Sequence, residues 1–355
     1  MFCFLGTGYL VTEFVDDPHH SGKFGSLIDA AGHHLYESRW LRNTQYAKDY
    51  IKFWARQYDG SGSRFSEWNT DAAWATFLMN GDKEFITSQL DGFVKKYQLW
   101  EKTNFETNLG LFFITPLLDA QEYSAASVQT RNKFGGGLGY RPSFNSELYG
   151  NAKAIINIAK LAGNEKVAQQ FNDKARALRE AIITFLWDKK RNFFYHVQRE
   201  NNPNNELLDT MEEVGFYPWR FGVPDDRFNF STAWQQAFDA KAFNSNYGPT
   251  TCDMRSKWYD GNQKHQCCWW NGNSWPYSTA HTLSSLATQI RHYSHQAPNI
   301  KAEHYVSMLR KYALHMWQNV IHHREIGASQ MIDKRCKTKG LFIYKDNQDY
   351  LLISF

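Results

Sequence analysis

Apolar residues recur at helical spacing along much of the chain, in paired segments joined by short turns. The first stripe of the clearest pair consists of Ala152, Ile155, Ile156, Ala159 and Ala162. The second stripe consists of Val167, Phe171, Ala175, Leu178, Ile182 and Phe185. Between them stands Gly163-Asn164, a sequence typical of a helix C-cap followed by a turn. The pattern predicts two antiparallel helices with a very short connection.

The same design recurs elsewhere in the chain. An apolar run that ends at Gly81-Asp82 precedes a second helical stripe, so FLMNGDKEF repeats the plan of KLAGNEKVA. The further predicted helical segments are residues 72–79 with 85–100, residues 277–292 with 302–319, and residues 43–57. Repeated helical hairpins therefore form the framework of the protein.

Long segments rich in Gly, Pro, Asn and aromatic residues separate the hairpins. They are residues 104–149, 188–231 and 243–276, and the strand signal within them is weak, as in RNFFYHV at 191–197. Loops of this length in a compact domain are usually functional. The combination predicts an all-α fold, a closed helical toroid with a cleft built from loops at one end. An open solenoid that binds proteins is the alternative, although its repeats would be shorter and more regular.

Aromatic content changes this picture, because it reaches 16% and includes 13 Trp in 355 residues. Most of these rings are expected in the core, but Trp faces also stack on sugar rings, which suggests a carbohydrate cleft. The formal net charge of +4 is too small to indicate a nucleic-acid partner. No uncharged apolar run approaches the roughly 20 residues of a membrane-spanning helix, so we expect no membrane partner.

The first loop carries two candidate acids, Asp119 and Glu122, in a segment with Phe112, Phe113 and Tyr123. Apolar rings disfavour the ionised form of a carboxyl group and raise its pKa. A carboxyl group that keeps its proton near neutral pH can protonate a leaving oxygen as a general acid. The alternative is an ordinary helix cap or a solvated loop acid.

The second loop, GGGLGYRPSFNSELYGNA, contains a glycine run without the Lys-Ser/Thr of a phosphate-binding loop. Arg141 and Asn145 follow at the start of a helix, and their side chains are suited to holding neighbouring sugar hydroxyls. Arg141 has a second interpretation, a buried ion pair with Glu147 or another acid.

The third loop contains several tryptophans and most of the cysteines. Its tryptophans are Trp258, Trp269, Trp270 and Trp275, and its candidate metal ligands are Cys252, His265, Cys267 and Cys268. A zinc-bound thiolate could serve as a nucleophile, but no CxxC spacing is present. We expect buried thiols instead, with no metal and no cofactor.

Four motifs together resemble a known family. They are SRFSEWNTDAAWATFLMNGDKEFITSQLDGFVKKYQLWE, LLDAQEYSAAS, GYRPSFNSELYGNAKAIINIAKLAGN and CCWWNGNSWPYSTA. In this order they resemble the mannosylglycerate-hydrolase-like glycoside hydrolases, relatives of glycoside hydrolase family 63. The resemblance runs from about Tyr36 to about Tyr350 and implies a single catalytic domain over residues 1–355 with an (α/α)6 toroid fold.

The resemblance also implies roles for individual residues. DAQEYS places Glu122 at the position of the general acid, with Asp119 as the weaker choice. The family's Trp-Arg-Gly-Pro-x-Trp-Pro loop shapes a sugar subsite, and here Asn271 and Asn273 depart from it. Residues 37–40 and Asp71 would lie at helix starts that line the cleft. The substrate-binding residues implied in this way are Trp40, Asp71, Arg141, Asn145, Trp270, Asn271 and Trp275.

The two ends of the chain also matter for the expected activity. Family members carry the general base in a Glu-x-Tyr-Asn-type motif near the last helix, whereas this chain ends in KDNQDYLLISF, where Asp349 is the candidate base. We therefore expect a toroid that lacks its last helix, with a truncated gene model, a splice form and a natural fragment as the open explanations. The N-terminal segment MFCFLGTGYLVTEF predicts no signal peptide.

The function expected from these features is hydrolysis of an O-glycosidic bond by an inverting mechanism. An inverting enzyme needs an acid and a base roughly 6.5–9.5 Å apart, with a water molecule between them. Two alternatives stay open: a zinc-thiolate arabinofuranosidase-like enzyme that uses Cys267 or Cys268, and an inactive sugar-binding remnant. The sugar and its linkage are not predicted.

Overall fold

The protein is mostly helical. The computed structural model describes residues 2–4, 8–11, 28–56, 65–261 and 269–325, with the side chains of all of these except residues 2–4 and 315–325. The α-helices in these ranges are α1 (Ile28–Ser38), α2 (Gln45–Ala55), α3 (Asn69–Asn80), α4 (Lys83–Ser88), α5 (Leu90–Asn104), α6 (Ala125–Val128), α7 (Pro142–Leu161), α8 (Glu165–Leu186), α9 (Tyr217–Phe221), α10 (Trp234–Phe238), α11 (Pro276–His292) and α12 (Ala302–Glu325).

The described β-strands are two or three residues long and form separate antiparallel pairs. The pairs are β1 (Phe2–Phe4) with β2 (Tyr9–Val11), β3 (Phe105–Glu106) with β4 (Leu111–Phe112), β5 (Gly139–Tyr140) with β8 (Val197–Gln198), β6 (Trp187–Asp188) with β7 (Phe193–Phe194), and β9 (Asn244–Ser245) with β10 (Gly248–Pro249). Strands β7 and β8 fall on the predicted segment 191–197. Such short pairs stabilise the long loops rather than form a sheet layer.

The hairpin predicted around Gly163 is confirmed as α7 and α8. Gly163 adopts a φ of 72°, a left-handed conformation that favours glycine, just after the end of α7. The side chain of Asn164 then accepts a hydrogen bond from the backbone N–H of Val167, at 3.2 Å, and caps α8. Local capping chemistry therefore sets this turn.

The hairpin around Gly81 differs in one respect from its prediction. Gly81 has a φ of 68° and ends α3, and Asp82 caps α4 by accepting the Phe85 N–H at 3.0 Å. The single helix predicted to follow is two helices, because the chain turns at Gln89. This turn brings α5 against α2, where a Cβ on Gly92 would lie 2.3 Å from the carbonyl oxygen of Ala55.

Burial separates an inner from an outer layer of helices. Helix α7 is buried on nearly every side, whereas α8 buries one stripe. The inner helices pack in the order α1, α3, α7, α9 and α11, and the outer layer includes α2, α5, α8 and α12. The ring rejoins α1 through His33, whose ring lies 4.7 Å from that of His281 on α11. The predicted helical toroid is confirmed.

Most of the aromatic surplus belongs to the core, as expected. The buried tryptophans there are Trp54, Trp68, Trp100, Trp187, Trp219 and Trp234. Trp219 and Trp234 pack edge to face at 5.6 Å, and Phe216 stacks on Trp234 at 4.9 Å. Helix α9, which carries Trp219, lies inside the segment predicted as a loop over 188–231. Its five residues are too few to show a helical period.

Candidate active site

Glu122 lies beside a wall of tryptophans formed by Trp269, Trp270 and Trp275. The backbone carbonyl of Glu122 accepts a hydrogen bond from the backbone N–H of Trp270, at 3.2 Å. The rings of Trp270 and Trp275 stack with centroids 4.6 Å apart and an interplanar angle of 13°. Glu122 itself is half-buried. The structure thus places the backbone of the predicted acid beside the predicted tryptophan loop, in which Trp270 is buried and Trp269 and Trp275 are partly exposed.

A second aromatic stack holds the wall to the acid loop. The ring of Tyr123 lies parallel to that of Trp269, with centroids 4.5 Å apart and an angle of 5°. The indole N–H of Trp275 donates to the carbonyl oxygen of Trp269 at 2.8 Å. The acid loop and the tryptophan loop are therefore joined by ring contacts as well as by a backbone hydrogen bond. These contacts hold the backbone of Glu122 in place.

Backbone strain occurs on both sides of Glu122. Ala120 has a φ of 55° and Tyr123 a φ of 53°, in a left-handed region that residues with a side chain seldom adopt. The N–H of Tyr123 donates to the carbonyl oxygen of Phe134 at 3.0 Å, which helps to hold this conformation. Strain of this kind is concentrated at functional sites, where surrounding contacts enforce it.

Asp119, the weaker candidate for the acid, has a structural partner. Its side chain is 1% exposed, and its Oδ2 accepts hydrogen bonds from the Nε of Arg141, at 2.5 Å, and from the hydroxyl of Ser143. The remaining guanidinium nitrogens of Arg141 reach Gln121 Oε1 at 2.8 Å and Glu212 Oε2 at 3.5 Å. The alternative interpretation of Arg141 holds, because Arg141 forms a buried ion pair with Asp119 and Glu212, and a contact of Arg141 with sugar stays a prediction.

Asn145 and Asn271 are both buried and hydrogen-bonded within the protein, and a role in binding substrate stays a prediction for each. The Asn145 amide exchanges hydrogen bonds with the backbone of Phe112, at 2.8 and 2.9 Å, and so ties β4 to α7. The Asn271 amide donates to the carbonyl oxygen of Trp258 at 3.0 Å. These residues support the loops from beneath the site.

Trp40 lies just beyond the C-terminal end of α1. Residues 37–40 were expected at a helix start, but α1 ends at Ser38 and the Trp40 side chain is 62% exposed. A role of Trp40 in binding substrate stays a prediction.

Asp71 lies on the first turn of α3, in a group of polar side chains separate from that of Asp119 and Arg141. Its Oδ2 accepts a hydrogen bond from the hydroxyl of Tyr36 at 3.3 Å. Burial raises the pKa of Asp71, and the positive charges of Arg220 and Lys153 oppose this effect. A role in binding substrate stays a prediction for this residue.

A group of polar side chains at the centre of the ring was not predicted from the sequence. This central polar cluster consists of Asp29, His33, Glu147, Tyr217, Tyr277 and His281. Glu147 is 1% exposed, and neither of its carboxyl oxygens has a hydrogen-bond partner among the described residues. Burial, followed by the charges of Asp119 and Glu67, raises its pKa well above the ordinary value. The sequence contains one indication of this cluster, because Glu147 is the single acid in the otherwise apolar and neutral helical segment FNSELYGNA.

Asp29 lies buried on the first turn of α1. Burial is the largest cause that raises the pKa of Asp29 to about 6, and the negative charges of Glu122 and Asp119 act in the same direction. Hydrogen bonds from nearby backbone N–H groups partly oppose the shift. Carboxyl groups from α1 and from the acid loop therefore share one electrostatic environment.

Several predicted residues lie outside the described ranges, namely Asp349, His265, Cys267 and Cys268. Cys252 is described and buried, and burial raises the pKa of its thiol well above the ordinary value. Within the described part of the chain, no three His, Cys, Asp or Glu side chains are grouped as metal ligands would be. No described helix is both long and apolar enough to span a membrane.

A helical toroid with a half-buried carboxyl group beside stacked tryptophans is an architecture of glycoside hydrolases. The sequence family described as the mannosylglycerate hydrolase MGH1-like glycoside hydrolase domain matches residues 25–323. The chain therefore belongs to this family, which agrees with the resemblance seen in its motifs. Among curated protein sequences, none matches this chain.

Solved structures support the same fold. A protein named sialidase is 31% identical with a TM-score of 0.75, and the match covers 87% of this chain but 28% of that protein. A family 63 mannosylglycerate hydrolase from Thermus thermophilus, solved with Tris and D-glycerate, is 11% identical with a TM-score of 0.64 and 89% of each chain covered. Neutral trehalase Nth1 from Saccharomyces cerevisiae is 13% identical with a TM-score of 0.58, covering 75% of this chain and 62% of its own.

Proposed function

We propose that this protein hydrolyses O-glycosidic bonds by an inverting mechanism in which Glu122 is the general acid. The observation that carries the proposal is the placement of Glu122 beside the stacked pair Trp270 and Trp275. Membership of a glycoside hydrolase family supports the reaction class. The contacts of Asp119 favour Glu122 over Asp119, because the Oδ2 of Asp119 is already bound within the protein by Arg141 and Ser143.

The chemistry follows from the positions of these groups. A sugar ring bound against the partly exposed Trp269 or Trp275 would bring its glycosidic oxygen towards Glu122, which protonates this oxygen as the bond to the anomeric carbon breaks. Water attacks the opposite face of the anomeric carbon and gives up a proton to a carboxylate base. Asp349 is the base implied by the family resemblance, and it lies outside the described residues.

The proposed substrates are carbohydrate glycosides. The names of the structural neighbours, a mannosylglycerate hydrolase and a trehalase, make mannosides and glucosides the first to test. This chain covers 28% of the protein named sialidase, so that name does not indicate which sugar this chain prefers.

The direct test is turnover with defined probes. The purified protein is incubated with 4-nitrophenyl glucosides and mannosides in both anomeric forms, and the first product formed is observed by proton NMR. We expect hydrolysis of at least one probe and release of the sugar in the anomeric form opposite to that of the probe. A first product with the same anomeric form as the probe contradicts inversion. Binding of the free sugars without any turnover supports the inactive remnant instead.

A further inference from the structure

Three aromatic side chains next to Glu122 form a continuous strip that ends at an exposed phenylalanine. Phe134 is 46% exposed, and its ring meets that of Tyr123 edge to face with centroids 5.2 Å apart. Tyr123 in turn stacks on Trp269, and both of these side chains are partly exposed. A single exposed apolar side chain is ordinary on a protein surface, but contiguous exposed rings beside a functional site indicate a binding surface. We call these three residues the aromatic platform.

Backbone hydrogen bonds hold the exposed end of the platform. The carbonyl oxygen of Phe134 accepts the N–H of Tyr123 at 3.0 Å. The side chain of Asn132 accepts the N–H of Gly135 at 2.9 Å, and its backbone carbonyl accepts that of Gly136 at 2.8 Å. The backbone that carries the exposed ring is therefore fixed before a ligand arrives. Less conformational entropy is then lost on binding, so Phe134 is preorganised for contact with a ligand.

The platform adjoins the proposed acid. Tyr123 directly follows Glu122, so their Cα atoms are about 3.8 Å apart. The carbonyl oxygen of Trp269 accepts the indole N–H of Trp275 at 2.8 Å, which joins the platform to the stacked pair Trp270 and Trp275. The platform is therefore continuous with the proposed active site rather than a remote surface.

The chemistry of the platform suits a sugar ring. One face of a hexose carries mainly C–H groups that pack on an aromatic ring, and its hydroxyl groups lie at the edge. The side chains of Arg131 and Lys133 flank Phe134, are exposed and carry only hydrogen-bond donors, which suit hydroxyl oxygens. A purely apolar ligand would cover the rings but offer these donors no acceptor. The combination therefore favours a sugar over an apolar group.

We propose that the aromatic platform binds the departing sugar of an oligosaccharide substrate and that Phe134 determines this preference. This inference rests on the proposed glycosidase function. One sugar ring lies against Trp275 with its glycosidic oxygen at Glu122, and the sugar on the other side of that oxygen stacks on Phe134. A methyl glycoside has no second ring and gains nothing from the platform. The protein therefore hydrolyses oligosaccharides more efficiently than methyl glycosides of the same sugar.

The experiment compares substrates with and without a second sugar ring. Glucose and mannose disaccharides are each paired with the methyl glycoside of the same sugar and anomeric form, and the released sugar is quantified. For at least one pair, we expect the unmodified protein to show a kcat/KM at least about tenfold higher for the disaccharide. Phe134→Ala should raise KM for that disaccharide about tenfold with kcat almost unchanged, and should keep kcat/KM for the methyl glycoside within about twofold.

Two further variants separate ring stacking from general effects of substitution. Phe134→Tyr keeps an aromatic ring and should retain the disaccharide KM of the unmodified protein. Leu78→Ala is the matched control, because it removes an apolar side chain that is 64% exposed on the last turn of α3 and belongs to no part of the platform. The control should change the kinetics of neither substrate.

Three results would overturn the inference. The first is a disaccharide KM of Phe134→Ala within about twofold of that of the unmodified protein. The second is an equal loss on the disaccharide and the methyl glycoside, which indicates a structural role. The third is hydrolysis of methyl glycosides without preference for any disaccharide, which leaves the proposed function standing. If the unmodified protein hydrolyses neither these substrates nor the 4-nitrophenyl glycosides, the proposed function itself fails, and the inference fails with it.

Discussion

Asp119 and Glu122 lie three residues apart in the chain, yet their surroundings differ sharply. Asp119 is buried against Arg141, whereas Glu122 is half-buried beside the tryptophan wall. The sequence identified both acids and offered an ion pair as one explanation for Arg141. It could not identify the partners, because Glu212 is far from Arg141 in the chain and joins it only through the fold.

The ion pair of Arg141 should be costly to break. Arg141→Met removes the cation and leaves Asp119 and Glu212 buried without it, so the free energy of unfolding should fall by about 3–5 kcal/mol. Arg176→Met is the matched control, since its pair with Asp173 is exposed and its loss should change stability by less than about 1 kcal/mol. Urea unfolding of both variants measures the difference, and equal losses would show that the buried pair has no special role.

The carboxyl group of Glu213 makes the folding stability of the protein depend on pH. Burial raises the pKa of Glu213 to about 8, although Thr282 donates a hydrogen bond to its Oε1 at 2.8 Å. Between about pH 4 and pH 8 the folded protein keeps this proton and the unfolded chain releases it. Folding stability from this group is therefore largest at low pH and falls as pH rises, by up to about 1.4 kcal/mol per pH unit.

Glu213→Gln removes this titration. Relative to the unmodified protein, the variant should gain at least about 2 kcal/mol of unfolding free energy between pH 5 and pH 8. Chemical denaturation at the two pH values measures the gain. Glu200→Gln, at an exposed position, serves as the control and should show no such trend. A Glu213→Gln variant whose stability difference is the same at both pH values would contradict a raised pKa for this group.

At the scale of elements, the helical hairpins were predictable because their turns are set by local chemistry. Gly81 with Asp82, and Gly163 with Asn164, end one helix and cap the next without help from distant residues. The break at Gln89 and the short helix α9 were missed, since both depend on contacts with other elements that no local pattern reports.

Two glycines distinguish local from tertiary constraints. A Cβ on residue 81 would have no atom within 4 Å. Gly81→Ala should therefore lower the free energy of unfolding by about 1 kcal/mol, through the left-handed φ alone. Gly92→Ala would place a Cβ 2.3 Å from the backbone oxygen of Ala55 and should cost about 3 kcal/mol, since α5 must move off α2. Thermal unfolding of the two variants compares them, and a Gly92→Ala variant as stable as Gly81→Ala would contradict the close approach of these helices.

At the scale of the whole molecule, the ring brings together residues that are remote in the chain. Asp29 on α1, Glu147 on α7 and His281 on α11 meet at the centre of the toroid. The sequence predicted the toroid, and its motifs predicted that the acid and tryptophan loops belong to one cleft. The central polar cluster was not predicted, because its members occur singly on separate helices and gain a common environment only when the ring closes.

Turnover by Glu122→Gln with two kinds of leaving group tests whether Glu122 is the proton donor. With methyl glycosides of glucose and mannose, which need a proton on the departing oxygen, we expect the rate to fall at least about 100-fold. With the 2,4-dinitrophenyl glycosides, which leave without protonation, most of the rate should remain, and binding of the free sugar should be unchanged. Full activity of Glu122→Gln on the methyl glycosides would contradict the assignment of Glu122 as the proton donor.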